Sequence, residues 1–300
     1  MALSPPNRRP VAAFTLLVVL VATNLVAIRY SNRELPPFWD AGARFALAAL
    51  IFAVIVAIRR PPTPTRTDVA AGVAYGLFSF AGFFAFLYLG LVRAPAAIGQ
   101  TVLALGPLAT MFVAAAVGME RLRPRAIVGA AISLVGIAVA FGAASQLDVP
   151  IPSLLALVAA TIAFAAGTIV IRRVRGAEPI TQNLIATLVG STVLLAISAG
   201  NGEPWRLPAT PGTWLAFAYL VGPGTVVVFL LLRYLLRRWT ATAVSYQFVL
   251  APIVSVSLAA LLLGESMGPT VIAGAILVIL GVYVGAIARP AGATAAPAPR

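Results

Sequence analysis

The sequence predicts an all-α integral membrane protein with ten transmembrane helices, arranged as two inverted five-helix repeats. Three observations support this prediction. Hydrophobic residues make up 61% of the 300 residues and the mean hydropathy is +1.01, far from the usual composition of soluble domains. Ten stretches with few or no charges are each long enough to cross a bilayer as a helix. Residues 93–136 also align without a gap with residues 238–281.

The ten predicted spans are joined by loops of a few residues that are rich in Pro, Arg and Gly. Such loops are too short to hold a separate soluble domain. The second span is the weakest, because Arg44 lies inside it, and we expect this side chain to snorkel to the interface. The spans are 11–28, 39–58, 69–92, 95–118, 126–143, 152–171, 180–199, 212–232, 240–263 and 270–288.

The first span follows Arg8 and Arg9 and so starts like a secretory signal. It lacks a persuasive small-residue cleavage site, and we therefore predict an uncleaved first helix. The predicted domains are an N-terminal cytoplasmic tail (1–10), a first repeat (11–143), a linker (144–151), a second repeat (152–288) and a disordered cytoplasmic tail (289–300).

The arginines predict the orientation of these spans. If the loops alternate between the two sides of the membrane, sixteen of the 21 arginines fall on the side of the N-terminus and five on the other side. Positive residues in short loops are enriched on the cytoplasmic side. The sequence thus predicts a multi-pass protein of the inner (plasma) membrane with both termini in the cytoplasm.

The aligned stretches form an internal repeat with an offset of 145 residues. The offset matches sparse residue types, such as Pro107 with Pro252 and Glu120 with Glu265. Each copy holds five spans, an odd number, so the second copy must enter the membrane upside down relative to the first. Inverted repeats of this kind are typical of secondary transporters, in which two near-equivalent halves rock against each other.

The repeated segments also resemble a known family. Leu105-Gly106-Pro107-Leu108 and Gly118-Met119-Glu120, with their counterparts Leu250-Ala251-Pro252-Ile253 and Leu263-Gly264-Glu265, are similar to the duplicated EamA domain of the drug/metabolite transporter superfamily. This resemblance implies a ten-helix fold that moves amino acids, other metabolites or drugs. The small multidrug branch carries a glutamate in its first helix, where this chain has Asn24, so proton-coupled export of cationic drugs is not expected.

Composition argues against several other classes of protein. The chain contains neither cysteine nor histidine, which removes the commonest transition-metal ligands and proton carriers. We therefore expect no metal, no cofactor and no catalytic residues, and hence no enzyme. The net charge of +13 comes from arginines spaced along the chain. That spacing favours membrane lipids as partners and speaks against nucleic acid.

Neutral polar side chains inside the spans are the candidate binding residues. Amides and phenols in hydrocarbon need partners, so they face a cavity or a neighbouring helix. A polar and aromatic pocket would suit a neutral or zwitterionic solute with an apolar part; the alternative role is contact between helices. The candidate substrate-binding residues are Asn24, Tyr75, Gln100, Asn183, Tyr219, Tyr246 and Gln247.

Three prolines within spans are candidate hinges. Pro107 and Pro252 match in the repeat, and Pro223 lies in the eighth span. A proline removes a backbone hydrogen bond and loosens a helix. The loosened positions could serve alternating access, or they could be static kinks that shape the bundle.

The sequence thus predicts a secondary transporter that exports a small metabolite, such as an amino acid, by alternating access. All eight acidic residues lie in loops or at helix ends, so we expect no obligatory coupling to protons. The alternatives are a proton-coupled drug or metabolite antiporter that uses Glu120 or Glu265, and a membrane receptor or scaffold that transports nothing. The sequence leaves the oligomeric state open, a monomer included.

The predicted topology can be tested with single cysteines in a chain that has none. Cysteines at Ser145, Asn201 and Ser266 should react with an impermeant thiol reagent added to intact cells, because these positions lie outside. Cysteines at Thr65 and Gly176 should react only after the cells are opened. The reverse labelling pattern would contradict the orientation.

Overall fold

The computed structural model describes residues 8–119, 124–145, 149–173, 178–239, 241–251, 254 and 268–284. Within these ranges the regular structure is helical, and no β-strand is present. Seven helices are long and apolar enough to cross a membrane, and two shorter apolar helices cover 127–139 and 272–282. The predicted all-helical membrane fold is therefore confirmed. Most of the ninth predicted span lies outside the described residues.

Thirteen helices are named here in chain order. They are α1 (Arg8–Ser31), α2 (Pro37–Arg59), α3 (Arg66–Tyr75), α4 (Phe83–Arg93), α5 (Ala96–Leu103), α6 (Gly106–Ala116), α7 (Pro124–Ser145), α8 (Ile151–Arg173), α9 (Pro179–Gly200), α10 (Pro211–Val221), α11 (Val228–Leu236), α12 (Ala241–Ser245) and α13 (Pro269–Val282). Two π-helical segments, Gly76–Gly82 and Gly222–Val227, join α3 to α4 and α10 to α11. Each of these pairs thus forms one continuous span.

Prolines and hydroxyl side chains set where the helices begin. Proline occupies one of the first helical positions of α2, α6, α9, α10 and α13, where its missing N–H is not needed. Thr65 accepts a hydrogen bond from the Asp68 N–H at the start of α3. Thr210 does the same for the Thr213 N–H at the start of α10. These two caps lie 145 residues apart, which is the offset of the sequence repeat.

Helical irregularities occur at two of the predicted hinges. The fourth predicted span is not one continuous helix: α5 ends at Leu103, and α6 begins at Gly106 with Pro107 in its first turn. Pro223 lies in the second π-helical segment, where the Thr225 hydroxyl donates to the Leu220 carbonyl at 2.7 Å. Pro252 lies outside the described residues. A hinge function of these prolines stays a prediction.

The bundle is apolar on its outside and partly polar inside. Leu50, Ile58 and Leu215 are 62%, 76% and 74% exposed, as expected of side chains that face lipid. The centre holds a cluster of buried aromatic rings in which Phe80 stacks on Phe229 with centroids 4.1 Å apart. The amide side chains Asn24 and Gln247 are also buried. This distribution places the polar groups between helices rather than against lipid.

Helix pairs from the two parts of the chain pack directly against each other. The closest pairings are α2 with α9, α4 with α8, and α7 with α13. In the last pair a Cβ atom built on Gly136 would lie 2.8 Å from the Gly274 carbonyl oxygen, and one built on Gly281 would collide with the Gly129 carbonyl. The Ser133 hydroxyl donates to the Val278 carbonyl at 3.2 Å. The two backbones therefore touch where only glycine leaves room.

The close contact of α7 with α13 predicts that replacing its glycines by alanine lowers the stability of the protein. Gly136→Ala should destabilise the protein by about 1–3 kcal/mol, because the new methyl group would meet the Val278 backbone nitrogen at 2.7 Å. The matched control is Gly200→Ala at the end of α9, where nothing lies within 4 Å of the added Cβ. Thermal unfolding in detergent should show a lower midpoint for the first variant only. Equal midpoints would contradict the close α7–α13 contact.

Candidate functional site

A small cavity lies at the centre of the bundle, where α1, α4, α8, α11 and residues 247–248 meet. Its volume is about 30 Å³, which is room for about two water molecules. Most of its wall is aliphatic and aromatic. The lining residues are Val21, Asn24, Leu25, Ile28, Phe83, Phe84, Leu87, Phe164, Val228, Phe229, Leu232, Gln247 and Phe248. An amino acid is larger than this cavity, so the surrounding helices would have to move apart to hold one.

Two predicted site residues, Asn24 and Gln247, supply the polar groups of this cavity. The Asn24 side chain donates to the Gly224 carbonyl at 2.8 Å, and a Cβ on Gly224 would collide with the same amide. The Asn24 Oδ1 and Gln247 Oε1 atoms are buried and have no hydrogen-bond partner among the described residues. Buried amide oxygens normally accept a hydrogen bond, so each of these two atoms keeps an unused acceptor.

Two further predicted residues lie just behind the cavity wall. The Tyr219 hydroxyl donates to the Leu20 carbonyl of α1 at 3.0 Å. The Gln100 side chain donates to the carbonyl of the lining residue Phe248 at 3.5 Å, at the limit of a hydrogen bond. Both side chains join the first part of the chain to the second. Their present contacts are those of helix packing.

The other three predicted residues lie away from the cavity. Tyr75 is fully buried against Phe80. Asn183 is fully buried in α9, and neither amide atom has a partner within the described residues. Tyr246 is half-buried and packs beside Leu108. The structure thus places two of the seven candidate residues in the cavity lining, two behind it and three elsewhere.

A buried arginine forms a polar cluster that sequence reasoning missed. Arg44 is 0% exposed, so the expectation that it snorkels to the interface is wrong. Its Nε donates to the Thr225 hydroxyl at 3.1 Å and its Nη1 to the Tyr88 hydroxyl at 3.2 Å. Its guanidinium carbon lies 4.7 Å from the ring centroids of both Phe45 and Phe84. These partners hold the cation inside the bundle, where helix propensity and hydropathy alone would not place it.

A carboxylate lies one helical turn away from this arginine. Asp40 is in the first turn of α2, as the sequence predicts for a helix end, yet it is 0% exposed. The Ser31 hydroxyl donates to its Oδ2 at 2.5 Å, and Asp40 interacts electrostatically with Arg44. The sequence did not predict this burial, although Asp40 lies at a helix end as expected. The four-residue spacing of Asp40 and Arg44 was the signal in the sequence, since it puts both on one face of a helix.

On one face of the bundle, carboxylates from each part of the chain bind the other part. We call this the Glu203 face; it comprises residues 31–36 and 201–210. The Glu203 carboxylate accepts from the Trp39 N–H at 2.8 Å at the start of α2, and Trp39 stacks on Trp205 at 4.9 Å. The Glu34 carboxylate accepts from the Ala209 N–H and the Thr210 hydroxyl. Hydrogen bonds from Thr213 and Ala209 hold the pKa of Glu34 below its usual value.

The opposite face is joined by other side chains. We call it the Glu178 face; it comprises residues 62–68 and 178–182. Glu178 caps its own helix by accepting from the Ile180 and Thr181 N–H groups. The Gln182 side chain donates to the Asp68 carbonyl at 2.8 Å across this face, beside a groove of about 190 Å³ that Arg237 also lines. The two faces therefore differ in the side chains that join them.

Acidic side chains elsewhere do not suggest a metal site. Among the described residues, no group of three or more Asp or Glu side chains is placed to hold a metal ion. Glu120 and Glu265, the candidate coupling residues of the sequence, lie outside the described residues.

Comparison with known proteins identifies relatives over almost the whole chain. A probable amino-acid metabolite efflux pump of Salmonella typhimurium is 27% identical over 281 residues, which cover 90% of this chain and 92% of the relative. A protein of the same description from Escherichia coli K12 is 26% identical, with the same coverage. A protein of known crystal structure superposes with a TM-score of 0.65 over 93% of this chain and 97% of that chain. That pair is 22% identical, so the likeness concerns the fold.

The family itself is recognised twice within the sequence. The profile of the EamA-like transporter family matches residues 9–142 and again residues 151–286. These matches leave only the two termini and a short connection uncovered, in agreement with the resemblance of the repeated segments. The chain belongs to the EamA-like transporter family.

Proposed function

We propose that this protein exports amino acids or related zwitterionic metabolites across the inner membrane by alternating access. The observation that carries the proposal is the central cavity, which is built from both family-matched regions and is lined by two residues with unpaired amide oxygens. Two relatives are described as amino-acid metabolite efflux pumps. An amino acid has polar groups for Asn24 and Gln247 and, in its larger members, an apolar side chain for the aromatic wall.

Equivalent residues of the two regions support a two-fold arrangement around the cavity. Phe84 and Phe229 both line it, as do Leu87 and Leu232, and each pair is separated by 145 residues. The reciprocal glycine contacts of α7 and α13 follow the same offset. When a residue of one half contacts a residue of the other half, and their equivalents make the same contact in reverse, the two halves are related by a two-fold axis. We infer that the halves are inverted repeats whose axis passes close to the cavity.

Such an arrangement allows two conformations with opposite openings. In the predicted topology the Glu203 face is outside, and its paired carboxylate caps would close the outer entrance. The Glu178 face, with its groove of about 190 Å³, would be the cytoplasmic side. We infer that one face opens while the other closes, and that this gives alternating access. The helices would bend near Pro107, Pro223 and Pro252 during this change.

Coupling to protons is a second candidate property, and Asp40 favours it. A buried carboxylate inside a membrane bundle is a common proton site. Against this stands its neighbour Arg44, because neutralising Asp40 would leave a buried cation without a counter-charge. We therefore propose that Asp40 stays charged and that flux follows the substrate gradient without obligatory proton coupling. The antiporter alternative through Glu120 or Glu265 stays a prediction, because both lie outside the described residues, and Asp40 is a further candidate for it.

The proposal can be tested in liposomes that contain the purified protein and one radiolabelled amino acid of a set of twenty. At least one amino acid should move down its own gradient, and an imposed pH difference should change the rate little. Absence of flux for the whole set would contradict transport of amino acids. Accumulation of the amino acid driven by a pH difference would support the antiporter alternative. It would assign the coupling to Asp40 if Asp40→Asn abolished the accumulation and the control Asp68→Asn, at the start of α3, kept it.

The cavity residues give a second prediction. Asn24→Leu and Gln247→Met should lower kcat/KM for the transported amino acid about 5- to 150-fold, because each removes a hydrogen-bonding group worth about 1–3 kcal/mol inside the bundle. Thr15→Val is the matched control, since Thr15 lies on α1 with its side chain exposed. Measured flux at several substrate concentrations gives the ratio. Normal transport by both cavity variants would assign these amides to helix packing.

A further inference from the structure

Arg44 has binding capacity that the protein does not use. Its guanidinium carries five N–H donors, and the described residues accept from Nε and Nη1 only. The Nη2 atom is buried without a hydrogen-bond partner in the described part of the chain. The two partners that it has are the neutral hydroxyls of Thr225 and Tyr88, which do not balance its charge. A buried cation in this state is costly unless an anion reaches it.

The nearby carboxylate does not fill this position. Asp40 interacts with Arg44 electrostatically, but no direct ion pair between the two is formed among the described residues, and the Asp40 Oδ1 atom is itself unpaired. Asp40 instead accepts a short hydrogen bond from Ser31. Asp40 therefore compensates part of the charge, while the Nη2 atom of Arg44 stays without a hydrogen-bond partner among the described residues.

One aromatic ring is shared by this guanidinium and the central cavity. Phe84 lines the cavity, and its ring centroid lies 4.7 Å from the guanidinium carbon. The backbone connects the same two places: Thr225 binds Arg44, and the adjacent Gly224 carbonyl binds the cavity residue Asn24. Arg44 is therefore a near neighbour of residues that line the cavity.

We propose that Arg44 binds the carboxylate of the transported solute. The proposal rests on the proposed function and narrows its substrate class to solutes with a carboxylate next to an apolar group. A guanidinium offers two parallel N–H donors, which match the two oxygens of a carboxylate. The solute's apolar part then packs among Phe84, Phe229 and Leu87, and the free Asn24 oxygen accepts from its amino group.

The solute itself provides the sharpest test. L-Leucine and L-phenylalanine are compared with L-leucinol and L-phenylalaninol, in which a hydroxymethyl group replaces the carboxylate, as competitors of amino-acid flux in liposomes. With the unaltered protein, each alcohol should need a concentration about tenfold higher or more than its amino acid to halve the flux. This is the loss of affinity expected when a hydrogen bond to a charged group is removed. Equal competition by acid and alcohol would overturn the proposal and leave amino-acid transport intact.

Variants then assign the preference to Arg44. In Arg44→Gln, the alcohol and the acid should halve the flux at similar concentrations, so the ratio of these two concentrations should be close to one. Arg44→Lys should keep part of the preference for the acid. The matched control is Arg233→Gln, because Arg233 is a second buried arginine, 5% exposed, at the end of α11; it should keep the original ratio. A full preference in Arg44→Gln would overturn the proposal.

Two remaining outcomes are also decisive. If Arg44→Gln does not insert or fold, Arg44→Lys decides, since an unchanged ratio in a folded lysine variant would contradict a two-point carboxylate contact. If no amino acid of the full set moves in the unaltered protein, the proposed function fails and this proposal fails with it.

Discussion

Inside a lipid bilayer a polar group has no bulk water to bind, so each one must find a partner within the protein. Helices meet this requirement for the backbone, and the side chains have to meet it between helices. In this chain the partners are repeatedly found across the two family-matched regions. Asn24 binds the Gly224 carbonyl, Arg44 binds Thr225, and Tyr219 binds the Leu20 carbonyl. The contacts that satisfy buried polar groups are thus also the contacts that join the two halves.

The same contacts explain how a packed bundle can still move. Lipid tails are as apolar as leucine side chains, so no hydrophobic force holds the helices of a membrane bundle together. Packing and a few hydrogen bonds do so, and a hydrogen bond contributes only about 0.5–1.5 kcal/mol net. The Glu203 face is joined by hydrogen bonds of this kind and one tryptophan stack, and the Gln182 side chain bonds across the Glu178 face. Opening either face therefore requires modest free energy.

The centre of the molecule combines an apolar wall with polar groups at its edge. Phe84 links these two parts, since it lines the cavity and its ring centroid lies 4.7 Å from the Arg44 guanidinium carbon. The cavity volume is about 30 Å³, so the helices around it must move apart to hold a solute as large as an amino acid.

The sequence by itself determined the all-helical membrane fold and the family, because hydropathy, helix-breaking prolines and the 145-residue repeat are local or periodic signals. It also placed Asn24 and Gln247 in the set of candidate residues. It did not separate them from Tyr75, Asn183 and Tyr246, because a polar residue in a span looks alike whether it faces a cavity or another helix. Only the tertiary structure showed that Arg44 is buried and that Asp40 lies beside it. Thr225, a partner of Arg44 181 residues away in the chain, decides where the guanidinium lies, and a contact between such distant residues leaves no local pattern in the sequence.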